Sequence, residues 1–151
     1  MPFICKTKKE ILEMVCVWSA LEGMAARMAT VRASDEELAA LRSMFATFED
    51  SDGASAPIDE YSEKNILFHQ AIIKLSKCDL LVDIAEGLFL HIRSIRSRTI
   101  REGTRGSDLI IDHMHIIEAL ESRDGDPAER YVREHTNDLS KHIDEYVDWL
   151  E

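Results

Sequence analysis

Six histidines are the residues of this sequence best suited to chemistry, and three of them can be placed at one height. Imidazole is a common protein ligand for divalent metals. His113 and His135 flank the segment Arg123-Asp124-Gly125-Asp126-Pro127, which reads as the turn of a helical hairpin. At roughly 1.5 Å rise per residue, each lies about 12–14 Å from that turn, so both sit at one level. Both fall on apolar stripes: His113 with Ile116, Ile117 and Leu120, and His135 with Tyr131, Leu139 and His142. His69 follows Asn65 at i+4, which puts the pair on one helix face, and Phe68, Ile72 and Ile73 flank His69. Three helices then aim three imidazoles and one amide oxygen at a common point. Asn65, His69, His113 and His135 form a donor set suited to Zn, Ni, Cu or Fe. A neutral Asn oxygen is a weaker ligand than a carboxylate. The remaining coordination positions go to water or to an anion. The competing reading is that each histidine is an ordinary core or surface residue.

The other candidates are weaker. His91 shares a stripe with Ile84, Leu88 and Ile95, but its height differs from that of His69 by about one turn. It is placed as pocket lining. Arg98 continues that stripe, where a guanidinium would pair with a carboxylate guest; the alternative is a snorkelling Arg at a helix end. His115 lies about 200° around its helix from His113 and is assigned to surface or interface. His142 reads as a core residue or a support behind a ligand. No Ser/His/Asp or Cys/His arrangement stands out, and Cys78 reads as structural. Met14, Met24, Met28 and Met44 fall at core-like spacing.

These side chains need helices to position them, and the periodicity is helical nearly throughout. A first helix is expected over about Lys8–Val31, with Ile11, Val15, Trp18, Met24, Ala25 and Met28 on its apolar positions. Ser34 and Glu37 form a capping box for a second helix carrying Leu38, Leu41, Phe45 and Phe48. Glu49–Asp59 is the clearest loop. A third helix follows to Leu75, and a fourth runs over about Leu80–Ile100 with Leu81, Ile84, Leu88 and Ile95 inward. Gly103–Ser107 breaks the chain before a fifth helix over about Asp108–Ser122. Gly125 as stop, Asp126 as cap and Pro127 at the first helical position open a sixth, to about Leu150. The expected fold is all-α, one antiparallel bundle of about six helices spanning residues 1–151 as a single domain.

Composition narrows the function. The 151 residues carry 18 Lys+Arg and 29 Asp+Glu, a formal charge of −11. That balance disfavours a direct grip on nucleic acid or on an anionic membrane. No apolar run is long enough to span a bilayer, and the N-terminus lacks a secretory signal. Cys5, Cys16 and Cys78 are scattered and odd in number, which points to reduced thiols in a cytoplasmic setting.

Several segments, in order, resemble one family. Leu21-Glu22-Gly23-Met24-Ala25-Ala26-Arg27-Met28-Ala29 resembles the opening helix of the FadR-like C-terminal domain of GntR-type transcription regulators. Asn65-Ile66-Leu67-Phe68-His69, His113-Met114-His115-Ile116-Ile117-Glu118-Ala119-Leu120 and Gly125-Asp126-Pro127-Ala128 through Arg133-Glu134-His135 resemble its later segments. The likeness runs from about Glu10 to Trp149, and the six-helix length looks most like the VanR-type subgroup. It implies an effector-sensing, dimerising domain whose acidic residue and three histidines bind a divalent metal, Zn or Ni. Carried over, those positions are Asn65, His69, His113 and His135, the four chosen by geometry. Family effectors are small organic acids. Asn65 stands where an Asp is usual. Trp18 stands where many members carry an effector-holding Arg, so Trp18, His91 and Arg98 are the expected effector contacts. Members reach DNA through an N-terminal winged helix-turn-helix, for which this chain has no room; an excised or stand-alone sensing domain is expected.

The expected function is therefore a regulatory, non-enzymatic homodimer that binds a small carboxylate. The rival readings are a small His-rich metalloenzyme, for which no well-placed general base is visible, and a metal-free helical interaction module.

Overall fold

A computed structural model describes the backbone of residues 7–50, 58–100 and 106–146, and side chains at 7–44, 66–91, 113–138, 140–141 and 144. Six helices fill the described residues: α1 (Lys8–Arg32), α2 (Asp35–Asp50), α3 (Ile58–Leu75), α4 (Asp79–Ile100), α5 (Gly106–Glu121) and α6 (Gly125–Tyr146). No strand occurs among them. The all-α expectation holds, and the helix ends that can be compared differ by one or two residues. Most of the expected loop Glu49–Asp59, and the expected end of the sixth helix near Leu150, lie outside the described residues.

Local chemistry explains where the helices begin. Thr7 caps α1 with a complete capping box: its hydroxyl accepts from the Glu10 N–H, and the Glu10 carboxylate accepts from the Thr7 N–H at 2.8 Å. Ser34 Oγ accepts from the Glu37 N–H at 3.1 Å, as expected for α2. The start of α6 differs from the sequence reading. Asp124, not Asp126, is the cap, with Oδ1 accepting from the Asp126 N–H at 3.2 Å. The left-handed stop after α5 is Arg123 (φ 61°), not Gly125. Gly125 instead allows a close approach: a Cβ there would lie 3.1 Å from Arg27 Cγ.

Cross-helix contacts set the directions. Lys8 Nζ donates to the Asp144 carbonyl at 2.7 Å, and Arg27 pairs with Asp126, so α1 and α6 run antiparallel. Gly23 lets them approach closely, since a Cβ there would come within 2.7 Å of Arg133 Cγ. Arg32 Nη1 donates to the Ser76 carbonyl at 3.1 Å, which brings the C-terminal ends of α1 and α3 together. Arg123 joins the same end, donating to the carbonyls of Thr30 (3.3 Å) and Ala33 (2.5 Å) and to Asp35 Oδ1 (2.5 Å). Odd-numbered helices therefore end where even-numbered helices begin.

That shared end is tied by ion pairs. Arg42 Nη2 donates to Glu121 Oε1 at 2.6 Å, and Lys77 Nζ to Glu37 Oε1 at 2.7 Å. These hydrogen bonds hold both carboxyls below their usual range, while the bond to Asp126 raises Arg27. The core beneath is built on Trp18, Phe68, Ile72, Ile116, Ile117, Leu120 and Val132, with the small residues Ala25, Ala26 and Ala29 on α1. Two expected core positions are not in it. Met24 is 42% exposed and Ile84 is 48% exposed, because each lies on the outward edge of its helix's apolar stripe.

Candidate metal centre

His69, His113 and His135 meet in the interior, below the tied end. His69 lies six residues before the end of α3 (75 − 69), and His113 eight before the end of α5 (121 − 113). His135 lies ten residues after the start of α6 (135 − 125). Alternating helix direction turns these unequal counts into one neighbourhood. The ring centroids are 5.6 Å apart for His69–His113, 5.1 Å for His69–His135 and 4.5 Å for His113–His135. All three residues are at least 95% buried. One nitrogen from each falls within 4.8 Å of the others. His69 Nε2, His113 Nε2 and His135 Nδ1 are all buried ring nitrogens. Phe68 braces the cluster with its ring edge-on to His113, centroids 4.7 Å apart.

This donor set fits a divalent cation. Three imidazoles on three separate helices offer the nitrogen ligation that Zn and Ni accept. Asn65 lies one turn before His69 on α3, but its side chain lies outside the described residues.

The sequence reading missed Glu22. This α1 carboxylate is fully buried, yet it sits among polar partners. Its Oε1 is paired with His69 Nδ1. Its Oε2 accepts from the Trp18 indole N–H at 2.6 Å and lies 3.5 Å from the Thr136 hydroxyl, which also lies 3.0 Å from the Val132 carbonyl. Burying a charge is expensive unless it is hydrogen-bonded, and these contacts meet that cost. The available signal was an acid on the inward stripe of α1, between Trp18 and Ala25.

Trp18 is 1% exposed, tilted on Phe89 with centroids 5.7 Å apart, and its one donor is given to Glu22. It lines the interior rather than offering a polar hand to a guest. His91 is half-buried on α4, and His115 is exposed against Tyr131. The side chains of Arg98 and His142 lie outside the described residues. Cys16 and Cys78 are free thiols.

Residues 13–138 match the family described as FCD domain. The chain is 28% identical over 97 residues to the HTH-type transcriptional repressor RspR of Escherichia coli K12, a match covering 62% of this chain and 42% of the repressor. It matches the HTH-type transcriptional regulator YdfH of Shigella flexneri to the same extent. The chain therefore spans less than half the length of these regulators. Among solved structures, E. coli McbR/YncC superposes with a TM-score of 0.71 at 18% identity, covering 89% of this chain and 68% of that one, a likeness of fold.

Proposed function

Since the chain belongs to the FCD domain family, found in HTH-type regulators of the GntR group, we propose that it senses a small organic carboxylate through a divalent metal and passes that signal across a homodimer. The observation that carries this reading is the meeting of three buried imidazoles from α3, α5 and α6. His69, His113 and His135 would hold Zn or Ni, with Asn65 as the further ligand. A bound dication would supply the positive charge that attracts a carboxylate oxygen into the buried interior. His91, Arg98 and Trp18 are assigned to the effector's surroundings, Trp18 as a shaping wall. No enzymatic role is assigned, and the VanR-type assignment rests on the six-helix length.

The partner face is proposed on α1 and α4. Met14, Val17, Leu21, Met24, Met28 and Val31 alternate in steps of three and four, the pattern of a helix seam. Val17, Met24 and Val31 are exposed, as are Leu80 and Ile84 of α4, and Arg32 ties the end of α1 beside the start of α4. A second copy of this chain fits that seam. An antiparallel α1 pair centred between Leu21 and Met24 sets Met14 against Val31 and Val17 against Met28. The same register sets Glu13 against Arg32, opposite charges at both ends of the seam.

An effector with different affinity for two dimer arrangements would shift their populations, and with them the DNA-reading domains. Those domains belong to the winged helix-turn-helix portion of such regulators, which supplies the DNA contact in this proposal. No helix among the described residues is long and apolar enough to cross a membrane, and a cytoplasmic setting accords with the role. The test is a thermal-shift screen of small carboxylates with Zn or Ni, with and without chelator. Stabilisation by a carboxylate that vanishes with chelator is expected; stabilisation untouched by chelator refutes the metal-mediated reading.

A further inference from the structure

The Glu22 carboxylate meets His69 at Nδ1, while the other ring nitrogen, Nε2, is buried within the protein. From this geometry we infer that Glu22 is a positioning residue for the metal site, holding His69 so that Nε2 is its ligand atom. The inference rests on the metal reading above and adds a residue to it.

Two features support the assignment. The first is proton placement. Against a carboxylate, Nδ1 is the donor, so the ring proton sits on Nδ1 and the lone pair on Nε2 points into the cluster. An imidazole held this way has a fixed tautomer, a fixed ring plane and a more basic ligand nitrogen. Glu22 is itself held, by the Trp18 indole N–H at 2.6 Å and beside the Thr136 hydroxyl at 3.5 Å. The chain Trp18–Glu22–His69 thus links α1 to α3, and Thr136 adds α6, which also carries His135.

The second is charge. His69, His113 and His135 are neutral donors when they ligate, and an Asn65 amide oxygen would be neutral too. Glu22 is the buried carboxylate among the described residues. Placed directly behind one ligand, it offsets part of a dication's charge in a low-dielectric interior, without occupying a coordination position. That leaves a position open for an incoming carboxylate. The attraction between Glu22 and a bound dication adds to these hydrogen bonds only when metal is present, so its loss should appear in metal affinity and not in folding alone.

The test is zinc affinity, by competition with a chelating dye, together with the visible spectrum of the cobalt-loaded protein. Glu22→Gln keeps the size and the hydrogen-bonding reach but removes the charge. It is expected to weaken zinc binding by about 10–100-fold and to change the cobalt spectrum. Trp18→Phe leaves the carboxylate but removes its indole donor, and is expected to lower zinc affinity by a smaller factor. It also carries the test if Glu22→Gln fails to fold. Variants that bind zinc as the parent does, with the same cobalt spectrum, overturn the inference even if their melting temperatures fall. A parent protein that binds no zinc, nickel or cobalt overturns the metal reading itself, a separate and recognisable outcome.

Discussion

His69 and His135 lie face to face, ring centroids 5.1 Å apart and 15° from parallel, although 66 residues separate them in the chain (135 − 69). His113 meets both rings at a steep angle, 63° to His69 and 62° to His135. A ring that stacks and a ring that ligates can be separated by substitution. His135→Phe keeps an aromatic plane but removes both nitrogens. Its metal-free melting temperature is expected to stay within a few degrees of the parent, while the added stability on zinc binding is lost. Paired thermal melts with zinc and with chelator check this.

Arg123 fastens the tied end of the bundle from a left-handed backbone position that usually takes glycine. Arg123→Ala removes the hydrogen bonds to Thr30, Ala33 and Asp35 and keeps a Cβ at positive φ. A loss of about 1.5–3 kcal/mol is expected in urea unfolding. Arg123→Gly loses the same bonds but relieves the backbone, and should be more stable than the Ala variant by about 1 kcal/mol.

The ion pairs at that end predict the acid side of the stability curve. Glu37 and Glu121 are both held below 4.5 in the folded protein by hydrogen bonds from Lys77 and Arg42. Their contribution is fully present above pH 4.5 and is lost as pH falls through the lowered folded values. A Glu37→Gln, Glu121→Gln double variant should melt below the parent at pH 6, with the gap closing towards pH 3. Added salt should shrink the gap at pH 6, because both pairs are partly exposed.

Met24 sits at the centre of the proposed α1 seam and is exposed in the single chain. Met24→Glu sets a carboxylate against the apolar Leu21 position at the centre of the antiparallel pair and brings two like charges within about one helical turn of each other. Sedimentation velocity should show the parent as a dimer and the variant as a monomer, with zinc binding retained. A dimeric variant would move the interface elsewhere.

Much of the histidine cluster was legible because helix geometry converts sequence distance into height. His113 and His135 lie at similar distances from one short turn, eight and ten residues from the helix ends beside it, and Phe68 and Ile72 marked the inward face of α3. Glu22 was hidden because its key partner lies 47 residues away and an acid at helical spacing usually faces water. Met24 and Ile84 were misplaced for a different reason. Periodicity shows that a position belongs to an apolar face but not whether that face meets the chain's own core. Arg123 as the left-handed stop was unreadable because only its contacts to α1 and α2 compensate for a non-glycine there.

Metal content tests the account most directly. The purified protein, stripped with chelator and then reconstituted with zinc or nickel, should retain about one ion per chain by elemental analysis. His113→Ala should retain almost none, and an exposed control, His115→Ala, should match the parent. A folded parent that retains no ion, with a melting temperature unmoved by either metal, would contradict the account.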